Sequence, residues 1–433
     1  MEILGVTSLI LLVFLVLISV VIFYLSINPE VLISDISGDN VSIARSLLII
    51  LASSSPIFCF QRICQMVFAV RLSDYYFQII QIIGNVLKIS SVFYFFGNGK
   101  YDIVGYYLTF QLISATFLLI GFVFARIKFD VRFLEILKNL RFKKTVYDLL
   151  SGLAYATLFG SLCWILYYEL DNMVIAKLLG ASAVAIYAAA FSILSYVRNF
   201  LNILYSPFMA RFNYFVALKD YQGLNDFLKS VIDFFFPITI IPILVMILLA
   251  GPFVSSWVGP EYSASAEVLS ILLLGIILTF ISTPSGIYIT SLQKNRALYI
   301  SNGLVVLVYW AGVFLTYKSL GVVSFAIMKS AGLLLSALYL FFVVFHLMRE
   351  SKVRFILGMA VRYVIPITCC VGLSILAKPY MFIDKGFSLV ARNIGIILAV
   401  GIVSYIGFLP FSKLQRDKIT QIWGMVVNKV KSN

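Results

Sequence analysis

Five ionisable residues stand deep inside long apolar runs of this chain: Arg62, Lys88, Asp171, Arg198 and Lys329. A charge near the middle of an apolar helix costs about 2.5–3.5 kcal/mol on insertion scales, so such a residue faces a water-filled cavity or a partner. Four of the five are basic. A half-wet cavity with surplus positive charge suits an anion such as a phosphate or diphosphate, for which arginine offers a bidentate fork and lysine a point charge. The acids lie in YYELDNMVIAKLLG, residues 167–180, where Glu169 and Asp171 are candidates for exchanging a proton or a cation. They are two positions apart, about 200° around a helix, so at most one points straight inward. A plainer reading stands beside this one. The run 149–168 is already long enough to span a bilayer, which would leave both acids at the outer interface. Arg62 and Lys329 are equally open to an interfacial position, whereas Lys88 and Arg198 lie about 12 or more residues from their helix ends, too deep to snorkel easily.

The elements that hold these residues are set by composition. Of 433 residues 62% are hydrophobic and 12% charged, against about 25% charged in a soluble domain. Twelve apolar runs of about 20 residues or more fit a ~30 Å hydrocarbon core. They occupy 4–27, 45–70, 75–97, 102–126, 149–178, 182–210, 229–250, 266–290, 297–317, 321–347, 355–377 and 387–410. The 38 Phe and 25 Tyr are enough for aromatic belts as well as packing. Lys and Arg concentrate in alternate connections, which places Arg71, the 126–144 cluster, Arg211, Lys294, Arg349 and the C-terminal tail on the cytoplasmic side, with both termini inside. The net charge of +14 is thereby explained by loops facing anionic lipid rather than nucleic acid. The cysteines fall in apolar runs and imply neither disulfides nor a metal site.

Two basic stretches are amphipathic, the linker 127–148 and the tail 412–433, as helices lying in the inner headgroup plane would be. Three helices expected to run inward begin alike, VGYY at Val104, VAIY at Val184 and VVSF at Val322. Setting the segment from Val70 on that from Thr290, at an offset of about 220, superposes two turns and their helices, as in transporters built from parallel repeats. The offset pairs six helices of the second half with four of the first, so two N-terminal helices are expected to be missing relative to a symmetric parent. Pro56, Pro207, Pro237, Pro242, Pro284 and Pro366 are expected to bend or break their helices. There is no HExxH, phosphate-binding glycine loop or GxSxG.

The segment 167–224 resembles the central part of the Wzx-type polysaccharide flippases of the MOP (multidrug/oligosaccharidyl-lipid/polysaccharide) exporter superfamily. The likeness rests on Asp171 after an aromatic-rich helix, Leu178 to Gly180, Val184 with Tyr187, Pro207, and Lys219, Asp220 and Gly223. WVGPEYSASAEVLSILLLG, residues 257–275, is similar to the family as well. The resemblance implies an all-α, polytopic integral membrane protein of about twelve transmembrane helices in two pseudo-symmetric bundles around a central cavity. Its parts would be an N-terminal lobe at 1–126, a linker at 127–148, a C-terminal lobe at 149–348, two added helices at 349–411 and a tail at 412–433. It also implies a transporter rather than an enzyme, in a bacterial cytoplasmic membrane, flipping an undecaprenyl-diphosphate-linked oligosaccharide by alternating access for O-antigen, capsule or exopolysaccharide synthesis. Carried onto this chain, Arg62, Lys88, Arg198 and Lys329 would attract the anionic head group, and Asp171, ahead of Glu169, would couple to a proton or sodium gradient. No bound cofactor is implied. Anionic lipids, a polysaccharide polymerase and a chain-length regulator are the expected partners. The alternatives are a drug or cation antiporter of the same superfamily, a membrane polymerase or ligase, and a non-transporting scaffold.

Overall fold

The computed structural model describes residues 2–29, 39–70, 73–97, 101–130, 144, 158–205, 207–348 and 352–411. The tail 412–433, and the linker 127–148 apart from residues 127–130 and 144, lie outside them. Every regular element among the described residues is a helix, the form in which an apolar segment satisfies its own backbone hydrogen bonds without water. The chain divides into two units, Met1–Leu158 and Phe159–Asn433.

The first unit holds α1 (Glu2–Ile27), α2 (Asp39–Val70), α3 (Asp74–Phe96) and α4 (Ile103–Phe129). Its core is small, built from Ile63, Cys64, Val67 and Phe68 of α2 against Phe77 of α3 and Leu118 and Ala125 of α4. A Cβ at Gly121 would come within 3.2 Å of Cys64 Sγ, so α4 approaches α2 at a residue with no side chain. Residues 40–55 and 60–68 of α2 meet at 43°, with Pro56 in the break.

The second unit begins with helical residues 159–164 and a π-turn, Ile165–Glu169. There follow α5 (Asp171–Leu179), α6 (Ala181–Tyr205), α7 (Phe208–Ala217), α8 (Tyr221–Trp257), α9 (Ser263–Gly275), α10 (Thr279–Ser291), α11 (Arg296–Leu320), α12 (Val322–Leu347), α13 (Lys352–Ala377) and α14 (Phe387–Phe408). The run expected as one helix over 149–178 is therefore interrupted near its end. Gly180, at φ +85°, takes a conformation other residues resist and lets α5 turn directly into α6. The central strut is α8, 37 residues or about 55 Å long, with Pro237, Pro242 and Pro252 inside it. Helices α9, α10, α13 and α14 pack on it. Tyr363 of α13 stacks on Phe236 of α8, and Phe408 of α14 closes against both rings. Helices α13 and α14 thus share a core with α8 and α10.

Among the described residues eight helices are long and apolar enough to cross a membrane, or ten when each bent pair is one span. The pair α9 and α10, bent by 43°, occupies the run expected at 266–290. Of the other expected spans, 4–27 is α1, and 149–178 starts outside the described residues. With apolar side chains such as Phe93, Leu119, Ile203 and Leu315 exposed along these helices, the chain is a multi-pass membrane protein. The pairs α3–α4 and α11–α12 are both helical hairpins, about 220 positions apart as the internal offset predicts.

Asn393 of α14 is fully buried and pins the 378–386 connection to α8. Its amide nitrogen donates to Ser256 Oγ (2.8 Å) and Phe382 O (2.9 Å), and its oxygen accepts from Phe382 N (3.0 Å). Asn393→Ala is expected to destabilise the protein by about 1–3 kcal/mol, because it strands these groups without partners. Thermal unfolding in detergent is the check, and an unchanged midpoint would show that water replaces the amide.

Candidate functional site

Among the described residues the fully buried charges are Asp171 and Lys329, and the structure places them together. The π-turn prepares the meeting. Leu170 N–H reaches back five residues to Ile165 C=O (3.1 Å), a one-residue slip of the kind found at functional sites. Leu166 C=O, which an α-turn would have offered to Leu170, accepts instead from Trp310 Nε1 of α11 (2.8 Å). Tyr167 C=O accepts from Lys329 Nζ of α12, and Tyr167 Oη donates in return to Lys329 C=O (2.5 Å).

The same bend turns Asp171, the first residue of α5, into the core of the unit, where 1% of its side chain is exposed. Lys329 Nζ pairs with Oδ2. Tyr187 Oη of α6 also donates to Oδ2 (2.6 Å), and Tyr309 Oη of α11 donates to Oδ1 (2.6 Å). Both carboxylate oxygens are thus occupied. Such saturation is what permits a charge pair in an apolar interior, where an unpaired ion would be prohibitive. Glu169 remains exposed. The choice between the two acids is settled by the slip at 165–170: Asp171 is the one that points inward, into the packed core of its own unit rather than the outer part of an open cavity. Lys329, expected among the anion-attracting cations, lies with 0% of its side chain exposed against Asp171, so its charge is already balanced.

Arg198 of α6 is placed differently. Its guanidinium stacks on Tyr168 (4.0 Å to the ring centre) and Trp164 (4.6 Å), two rings that themselves lie 4.3 Å apart. Nε and Nη1 have no hydrogen-bond partner among the described residues. Trp164 and Tyr168 also line a cavity of about 220 Å³, with Cys163, Asn302 and Ser336 as further walls. That is below the roughly 300–1,000 Å³ of pockets for drug-sized ligands and is sized for a single ring. The cation–π contact orients the guanidinium, no carboxylate among the described residues pairs with it, and its two idle donors could be offered to an anion.

The other two expected cations belong to the first unit. Lys88 of α3 is half-buried with Nζ 4.3 Å from the Phe110 ring centre. Arg62 of α2 is exposed and donates from Nη1 to Gln65 Oε1 (3.1 Å). The contributions of Trp164, Tyr167, Tyr168 and Tyr309 are not among the residues singled out from the sequence. Tyr187 is visible there as the end of the VAIY repeat and in the family likeness, but not as a partner of Asp171. The available signal is charge complementarity, one acid and one base each set in an apolar run.

No family model matches the chain, and no curated protein does. Solved structures do match. One is the lipid II flippase MurJ in an inward closed conformation, with a TM-score of 0.65 and 15% identity over 96% of this chain and 84% of that one. Another is an inward-facing multidrug resistance MATE family transporter of the MOP superfamily, with a TM-score of 0.64 and 15% identity over 81% and 88% of the two chains. An outward-facing MATE transporter gives a TM-score of 0.52 at 16% identity over 78% and 81%. The chain has the fold of these proteins.

Proposed function

We propose that this protein is a flippase, moving a polyprenyl-diphosphate-linked oligosaccharide across a bacterial cytoplasmic membrane by alternating access, with its basic loops and both termini in the cytoplasm. The observation that carries the reading is Arg198, whose unpartnered guanidinium donors lie on the Trp164–Tyr168 platform beside a ring-sized cavity. A diphosphate would engage the guanidinium, and a sugar ring would stack on the aromatic face. The MurJ-like fold supports a lipid-linked substrate. Lys88 and Arg62, on the first unit, would add attraction for the same anionic head. Anionic lipids would meet the basic stretches, and a polysaccharide polymerase with its chain-length regulator would take the product.

A drug or cation antiporter is favoured less, since Asp171 already carries Lys329 as its counter-ion. The deciding experiment is reconstitution into vesicles with a fluorescent undecaprenyl-diphosphate oligosaccharide. Protein-dependent movement between leaflets is the expected result, and efflux of organic cations without lipid movement would replace this reading with the antiporter. Lys88→Ala is expected to slow translocation by about 10-fold or more, the worth of one charge-assisted contact. An unchanged rate in that variant would remove Lys88 from the substrate path.

A further inference from the structure

The enclosure around Lys329 Nζ has the make-up of a cation site. One carboxylate oxygen (Asp171 Oδ2) and one backbone carbonyl (Tyr167) accept from the ammonium. The rings of Tyr167, Tyr168, Phe191 and Tyr309 surround it with centres at 4.6, 5.0, 4.8 and 5.1 Å. Rings within about 6 Å of a desolvated cation stabilise it through their electron-rich faces, the arrangement used to hold ammonium ligands. The walls come from four separate stretches, the π-turn, α5, α6 and α11, and α12 supplies the lysine that fills them. The Asp171 carboxylate is held in orientation by Tyr187 and Tyr309 independently of the lysine.

We infer that this enclosure is a binding site for a monovalent cation of the primary ammonium class, and that the chain fills it permanently with its own Lys329 side chain. The second unit then carries a tethered counter-ion. Asp171 takes up no external sodium or other free cation, in place of the gradient coupling that the family resemblance implies for it. The cation that would otherwise enter and leave is attached to α12, and neutrality at this point is independent of the surrounding salt.

Lys329→Ala tests the inference, since the atoms removed are those of propylammonium. Melting of the purified full-length chain in detergent is the readout, with no substrate present, so the result is independent of the flippase reading. The variant is expected to melt at least roughly 5 °C below wild type. Millimolar propylammonium should restore the loss saturably, because a ligand bound only by the folded state stabilises it by mass action. Tetramethylammonium and guanidinium should not. The double variant Asp171→Asn/Lys329→Ala should ignore propylammonium, having lost the carboxylate, and so should Lys329→Met, whose side chain refills the space. Wild type should melt alike in sodium, potassium and N-methylglucamine chloride and should bind no radioactive sodium. Saturable sodium binding by wild type would overturn the inference. So would a Lys329→Ala protein that responds to every amine alike or to none. If that variant fails to fold in ordinary buffer, propylammonium supplied during growth and purification should recover it, and failure with the amine present would equally overturn the inference.

Discussion

Arg198→Ala is expected to reduce movement of an undecaprenyl-diphosphate oligosaccharide by about 100-fold while leaving the melting temperature unchanged or slightly raised. About 100-fold is the lower bound set by losing two hydrogen bonds to a charged group, each worth about 1.5–3 kcal/mol, at the point where the proposed diphosphate would be held. The unchanged stability follows from the idle donors: Nε and Nη1 are buried without partners, so their removal relieves a desolvation cost that the stacking on Trp164 and Tyr168 offsets. Arg198→Lys keeps the charge and loses the planar fork, and should fall between wild type and Ala. Loss of transport together with loss of folding would instead make Arg198 a packing element. Full transport in Arg198→Ala would separate the aromatic cavity from the substrate path. Vesicle translocation and thermal unfolding, measured on the same preparations, distinguish these outcomes.

Asp171→Asn is expected to destabilise the protein by about 3–5 kcal/mol, since it leaves a buried ammonium with no counter-ion. Asn retains an acceptor for Tyr187 or Tyr309, so the loss is electrostatic rather than one of shape. Asp171→Asn/Lys329→Met removes both charges at similar volume and should recover most of the stability, because paired burial gains little over a well-packed neutral core. The double-mutant cycle gives the coupling directly, and additive effects of the two substitutions would show that the pair does not act as a unit. Sensitivity should be far smaller for Glu169→Gln, a change at an exposed position.

Much of the architecture is legible in the order of residues. Apolar runs of bilayer length, interrupted by Gly180, Gly321 and short basic or glycine-containing turns, mark the helices one by one. The offset of about 220 that relates the α3–α4 and α11–α12 hairpins is a property of spacing alone. The positions of the deep charges are equally visible, because each stands alone in an apolar background. Their partners are not. Asp171 and Lys329 are 158 positions apart, and whether two such groups meet depends on the rotation and depth of helices packed through side chains distant in sequence. The π-turn at Ile165–Glu169 adds a local reason. Helical periodicity carried through 165–171 assigns each acid a direction, and the one-residue slip changes every direction after it.

The sequence by itself determined a helical membrane protein with a basic surplus and few buried charges, because hydropathy and charge act over single segments. Only the tertiary structure decided that Lys329 is spent on Asp171 while the guanidinium of Arg198 lies over aromatic rings with no carboxylate partner among the described residues. Those outcomes rest on distances of a few ångströms between helices, and an electrostatic contact in an apolar interior is strong or costly according to such distances alone.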